Sequence, residues 1–276
     1  MRAAVTAAVR RARAAARAAR AYACSGTAGG EVEMRAAWPP CPGVGTDTTR
    51  DAPRMRVEGA RRSAAPLAPG EVEVHVHAAG VNRLDLLQRA GRYPVPAGAS
   101  DILGVEAAGT VARTAGSLSV GTPVAALLDG GGYAEFVRVP AAQCIDLRAV
   151  TGGSGERARA LTWAEAGAVP EAWCAAHQLL RWVGQVRQGD TVLVHAGASG
   201  VGTAAVQLAR GAGAARVVAT ASSAERRRAC VELGATHVAP SRGLDDSRGV
   251  WGVASAKRSS RDVCRAHARV NLTCSD

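Results

Sequence analysis

The most regular hydrophobic pattern in the chain begins at residue 71. Glu71-Val72-Glu73-Val74-His75-Val76-His77 alternates strictly, placing Val72, Val74 and Val76 on one side of a strand and polar residues on the other. Further period-two or short apolar runs at Val105 to Val111, Thr122 to Leu128 and Tyr133 to Val139 predict more strands, separated by turns such as Asp129-Gly130-Gly131-Gly132. From Leu161 the spacing becomes helical, with a break at Pro170. From Thr191 the order is strand, glycine-rich turn, helix, strand, helix within about fifty residues, the cadence of βαβ units on a parallel sheet. The pattern divides the chain into a basic arm over 1–33, a β-rich domain over 34–160, a parallel-sheet domain over 161–240 and an unstructured tail over 241–276.

Composition narrows the class. Hydrophobic residues make up 47% of 276, enough for a core and too many for a disordered polymer. No run of eighteen apolar residues occurs, and no charged start leads into an apolar segment, so neither a membrane span nor a secretory signal is expected. Seven irregularly spaced cysteines without a CxxC pair argue against a disulfide framework or a structural zinc cluster, and for a reducing compartment.

The net charge of +11 invites a nucleic-acid reading that its distribution does not support. Residues 1 to 30 hold six arginines and no acid, whereas residues 66 to 240 carry fifteen arginines against fourteen acids. The excess lies outside the patterned region, and with a single Phe no aromatic platform accompanies it, so nucleic acid is not expected as the main partner. Arg10, Arg13, Arg17 and Arg20 would share one helical face, and residues 1–22 resemble a mitochondrial presequence ending near Arg20-Ala21-Tyr22-Ala23. The opposite face offers only Ala and Val, so a plain basic extension reads equally well. The expected location is cytoplasmic, with the mitochondrial matrix as alternative.

The chemistry-bearing segment is Thr191-Val192-Leu193-Val194-His195, followed by Ala196-Gly197-Ala198-Ser199-Gly200-Val201-Gly202 and a helical run to Arg210. A strand opening through small residues into a helix lets backbone amides approach a pyrophosphate and sets the helix N-terminus against its charge. Gly197, Ser199 and Gly202 occupy the three glycine places of the GxGxxG dinucleotide fingerprint, with Ser in the middle. About twenty residues past the last glycine, NAD-binding versions place an acid for the ribose hydroxyl. Here stands Ser222, with Ser223 and Arg226 following, a corner suited to the 2′-phosphate of NADPH.

Taken together, Gly189 to Arg210, Asn82-Arg83-Leu84-Asp85, Gly91-Arg92-Tyr93, Ile102 to Gly109 and Val169-Pro170-Glu171-Ala172-Trp173 resemble the zinc-independent medium-chain dehydrogenases/reductases of the quinone oxidoreductase family. The nearest resemblance is to the zeta-crystallin-like, tumour-suppressor-inducible branch. It covers roughly residues 66 to 240, with a faint start at Met34 and Met55 to Glu58. The implied fold is α/β: a GroES-like β-rich domain plus an incomplete Rossmann doubly wound parallel sheet. The implied activity is hydride transfer from NADPH to a small-molecule quinone. Ala198 to Gly202 would carry the pyrophosphate, Ser223 with Arg226 the 2′-phosphate, and Tyr93 and Asn82 would position the substrate.

The resemblance also implies what is missing. Zinc alcohol dehydrogenases of the superfamily place Cys where Asn82 stands and His where Val105 stands, and carry a four-cysteine lobe, so no metal is expected. A quinone is electrophilic enough to take hydride without a Lewis acid. The family would continue on the order of a hundred residues past Pro240 to complete its sheet. The chain is therefore expected to be a shortened form whose activity is in doubt, self-associating or pairing with a full-length relative. Two other readings stand beside quinone reduction: an NADPH-dependent alkenal or enoyl reductase with Tyr93 as proton donor, and a non-catalytic NADPH-binding remnant acting through protein interaction.

Overall fold

The structure is a computed structural model in which residues 32–38, 56–63, 65–152 and 159–241 are described. The chain divides into two compact units, Met1–Glu171 and Ala172–Asp276. The expected basic arm lies outside the described residues except for its last two positions, which instead begin a strand. Residues 39–55, and the expected tail from residue 242 onward, also lie outside them.

In the first unit, β1 (Val32–Trp38) and β2 (Arg56–Arg62) form an antiparallel pair. The main sheet is antiparallel throughout and contains β3 (Glu71–Ala79), β4 (Glu106–Thr114), β5 (Pro123–Leu127), β6 (Phe136–Pro140) and β7 (Cys144–Asp146), in the order β6-β3-β4-β5-β7. β8 (Thr151–Gly152) and β9 (Arg159–Ala160) pair separately. α1 (Arg83–Arg89) follows β3, and α2 (Trp163–Gly167) opens with Thr162 as N-cap, its hydroxyl accepting from the Glu165 amide at 3.3 Å. Valine alternation builds the core of the unit: Val72 and Val74 meet Val111, Val124, Val137 and Val139, all buried. Each such side chain contributes about 2 kcal/mol by leaving water.

The opposite face of β3 departs from expectation. Glu73, on the polar side of the alternation, is only 1% exposed. Three arginines from three strands close over it: Arg62 of β2 in direct contact, Arg113 of β4 at 3.6 Å and Arg138 of β6 at 3.5 Å. The Arg62 guanidinium also lies 3.7 Å from the centre of the Phe136 ring. Period two correctly separates the two faces but says nothing about what covers the second one, and cross-strand guanidinium stems supply that cover. Glu73→Ala leaves three cations facing an uncharged gap and is expected to cost about 3 kcal/mol, read as a lowered melting temperature. An unchanged melting temperature would assign no weight to the cluster.

In the second unit, α3 (Pro170–Gln178) carries the boundary and has Pro170 as its first residue, where a missing N–H costs no intrahelical bond. A π-helical turn, Leu179–Val183, continues it. Then come β10 (Thr191–Val194), α4 (Gly200–Gly211), β11 (Arg216–Ala221), α5 (Ala224–Glu232) and β12 (His237–Pro240). The three strands are parallel in the order β10-β11-β12, with Val192 opposite Val217 and Val218 opposite His237. Val192, Val194, Val217 and Ala219 of the sheet pack with Ala205, Val206 and Ala209 of α4, all at most 3% exposed. β10 ends one residue earlier than its apolar run predicts, because His195 leaves the ladder and turns its Nδ1 to Thr220 Oγ1 at 3.3 Å.

Candidate nucleotide and substrate sites

The turn after β10 is built from close backbone approaches. Ala196 takes φ +49°, a left-handed conformation uncommon for a residue with a Cβ. The Gly197 amide donates to Thr220 O at 2.8 Å, and a Cβ on Gly197 would stand 2.8 Å from Ala219 Cβ. A Cβ on Gly202 would stand 2.3 Å from Ala196 O, so the first turn of α4 reaches its place only with glycine there. Gly200, in contrast, faces open space.

Ser199, at the middle glycine place, is the N-cap of α4, and its Oγ accepts from the Gly202 amide at 3.1 Å. The amides of Gly200 and Val201, in the first helical turn, have no carbonyl four residues back inside the helix to bond to and carry the positive end of its dipole. A pyrophosphate fits that arrangement. Ala198, in the same turn, is half-buried against the core.

At the end of β11 the second feature assembles. Ser223 caps α5, its Oγ accepting from the Arg226 amide at 3.2 Å, while Arg226 Nη1 donates to Ser222 Oγ at 3.2 Å. Arg227 turns the other way and donates from Nη1 to Ala221 O at 3.2 Å. Ser222, Ser223 and Arg226 thus form one exposed cluster with no carboxylate between residues 219 and 222. Two hydroxyls beside a guanidinium and the start of a helix suit a phosphate dianion and offer nothing that would prefer a free ribose hydroxyl. Ser223→Ala is expected to lower stability by about 1 kcal/mol through the lost cap, measurable by denaturant unfolding.

Among the substrate-site candidates, Asn82 is half-buried at the N-cap of α1, and Tyr93 lies in the loop beyond the other end of that helix, 43% exposed. The two are not bonded to each other, and among the described residues no group hydrogen-bonds the Tyr93 hydroxyl. Asn82 instead belongs to a buried polar cluster. Its Nδ2 donates to Glu106 Oε1 at 2.8 Å, and its backbone N–H donates to Asp85 Oδ2 at 2.7 Å. Asp85 also accepts from the Tyr133 hydroxyl at 2.9 Å and from the Gly104 amide at 3.2 Å. Glu106 Oε2 accepts from the Glu171 amide at 2.8 Å.

Glu106, Asp85, Tyr133 and Glu171 were not singled out as functional by the sequence. The only available sign was an acid on an apolar run, Val105-Glu106-Ala107-Ala108, where a charge needs partners. Burial raises the affinity of Glu106 for its proton, and the Glu171 amide and Asn82 partly offset that. Glu171 is raised by burial, then by the neighbouring Glu106 and Asp85 charges. Burial and the Asp85 charge hold the Tyr133 phenol far above its ordinary value.

An acid raised in the folded state binds its proton more tightly there, so its ionisation opposes folding as pH climbs above the ordinary value of 4.5. The stability gap between Glu171→Gln and the unaltered chain should therefore widen in favour of the variant as pH rises from that value. Parallel melting curves across the range would leave Glu171 unperturbed.

Comparison with known proteins fits this geometry. The profile for the alcohol dehydrogenase GroES-like domain matches residues 68–149, the antiparallel sheet and α1. The profile for zinc-binding dehydrogenase matches residues 200–254, starting at the first residue of α4 and running past Pro240. The two profiles, together with quinone oxidoreductases among the similar solved structures, support a medium-chain dehydrogenase/reductase family for the chain. Within that family, the quinone oxidoreductase of Thermus thermophilus, solved also as its complex with NADPH, is 32% identical. Its TM-score is 0.58, covering 79% of this chain and 64% of that one. A mycobacterial protein solved with NADPH is 31% identical with a TM-score of 0.57, covering 75% of this chain and 58% of that one. NADPH binding is therefore a property of the family. Phthioceranic/hydroxyphthioceranic acid synthase of Mycobacterium bovis is 37% identical over 183 residues, 65% of this chain. The chain spans 8% of that synthase. Among the described residues no group of three His, Cys, Asp or Glu is placed to hold a metal ion.

Proposed function

We propose that the chain is a zinc-independent, NADPH-dependent reductase that passes hydride to a small-molecule quinone. The observation that carries this reading is Asn82, which stands where the zinc enzymes it resembles place a ligating cysteine and has its amide NH₂ bonded to a buried carboxylate. NADPH, when bound, supplies the hydride. The chain's own residues do the rest. The first-turn amides of α4 hold the pyrophosphate, and Ser222, Ser223 and Arg226 hold the 2′-phosphate. Asn82 hydrogen-bonds a carbonyl oxygen of the acceptor, and Tyr93 positions the ring. The quinone takes hydride and then a proton from water, giving the hydroquinone, so no side chain must act as an obligatory acid.

The likeness to acid and polyketide synthases favours a second acceptor, a C=C bond conjugated to a thioester. Reduction there needs a proton at the α-carbon, and Tyr93 is the residue that would donate it. Tyr93→Phe separates the two. Quinone turnover should fall less than about tenfold, the effect of one neutral hydrogen bond. If the variant loses turnover of quinone altogether, quinone positioning is not the role of Tyr93 and the acid-dependent reading replaces it.

A further inference from the structure

We propose that Glu106 is a positioning residue that fixes the orientation of the Asn82 amide, so that Asn82 presents its carbonyl edge and one remaining N–H to the acceptor. The inference rests on the reading of Asn82 above. Glu106 is 2% exposed, at the first residue of β4, and each of its carboxyl oxygens has one partner from a different element. Oε1 accepts from Asn82 Nδ2 and Oε2 from the Glu171 amide, both at 2.8 Å. An ionised carboxylate can only accept. It therefore holds the NH₂ end of Asn82 inward, and turning the amide over would bring two oxygens face to face.

A second observation shows that the fold makes room for this contact. A Cβ on Gly80 would stand 2.0 Å from Glu106 Oε1. Gly80 does not take a positive φ, so conformational freedom is not what requires glycine there. Space for the carboxylate is. The Gly80 carbonyl in turn accepts from the Tyr133 hydroxyl at 3.2 Å, which ties the strand end to the same cluster.

Protonation of Glu106 on Oε1 would turn that oxygen from acceptor into donor and let it bond the Asn82 carbonyl, so the amide could turn over. The titratable groups facing Glu106 are Asp85 on α1, with its Tyr133 partner, and Glu171 on α3, all of them acidic groups. A merely structural Glu106, serving only to cap the start of α3, would have no such effect on Asn82.

The sequence supplies an unusually clean probe, because Asn82 and Asn271 are the only asparagines. The full chain labelled with 15N at asparagine gives two side-chain NH₂ signals, and Asn271→Asp identifies that of Asn82. The proposal expects one Asn82 proton shifted strongly downfield, slow rotation of its NH₂, and loss of both on acidification while Asn271 stays constant. Glu106→Gln and Gly80→Ala should each erase the shift. In turnover they should lower kcat for the acceptor tenfold or more while leaving KM for NADPH within about twofold. The reading is overturned if the Asn82 signal is the same in the unaltered chain and in Glu106→Gln, or if its pH response is absent in the unaltered chain. Those spectra need no turnover, so they decide the inference even if quinone reduction fails.

Discussion

Gly202→Ala is expected to abolish nucleotide binding and to destabilise the second unit by about 1–3 kcal/mol. The new Cβ would stand 2.3 Å from Ala196 O and 2.8 Å from Gly197 Cα, and both are backbone atoms with no rotamer to change. An ordinary carbon–oxygen contact is more than an ångström longer, so either the start of α4 or the turn before it must shift by about that much. Ala196 already holds φ +49°, which leaves the turn little freedom to absorb the shift. Overpacking of this kind costs about 1–3 kcal/mol. A one-ångström displacement of the amides of Gly200 and Val201 also takes them out of hydrogen-bond reach of a phosphate. Gly211→Ala is the control, because a Cβ there meets nothing within 4 Å and its φ is not positive. It should raise stability by about 0.5 kcal/mol through the unfolded state. If the turn is as described, chemical unfolding moves the two variants in opposite directions, and nucleotide titration shows loss of binding in Gly202→Ala alone.

The second unit was the more legible in the sequence, because its signals are local. The apolar run Thr191 to Val194, the small residues of the turn and the polar break at Ser222-Ser223 lie close together along the chain, and each acts on its nearest neighbours. Ser199 is the instructive exception. Read as a tolerated stand-in for glycine, it proves to be the N-cap that binds the Gly202 amide, a role that Ser takes at helix starts quite apart from any fingerprint.

The first unit was legible as strands but not as a site. Its decisive contacts join residues far apart in sequence: Asn82 to Glu106, Asp85 to Tyr133, Glu73 to Arg113 and Arg138. Alternation gives the side of a strand on which a residue sits. It does not give the register against neighbouring strands, and register is what brings Arg113 and Arg138 over Glu73. For the same reason Asn82 could be picked out by resemblance alone, while the carboxylate that holds it could not.

Arg226→Glu is expected to weaken NADPH binding by about ten- to a hundredfold or more, while NADH binding tightens slightly. Arg226 is exposed and its Nη1 donates to Ser222 Oγ, which sets the guanidinium beside two hydroxyls. A charge-assisted contact of that kind is worth about 1.5–3 kcal/mol. The new carboxylate adds repulsion toward a dianion and can accept a hydrogen bond from a free ribose hydroxyl, which moves the two cofactors in opposite directions. The loss should shrink as salt is raised, since the site is open to solvent. Equal binding of NADH and NADPH by the unaltered chain would remove Ser222, Ser223 and Arg226 from the site.

Hydride transfer itself is tested most directly by following reduced nicotinamide under anaerobic conditions when the full chain is mixed with NADPH and a simple para-quinone. The account predicts loss of NADPH that depends on quinone, saturates with it, consumes one nicotinamide per hydroquinone formed and is much slower with NADH. No quinone-dependent oxidation, together with rapid consumption of NADPH when an enoyl thioester is added instead, would contradict it.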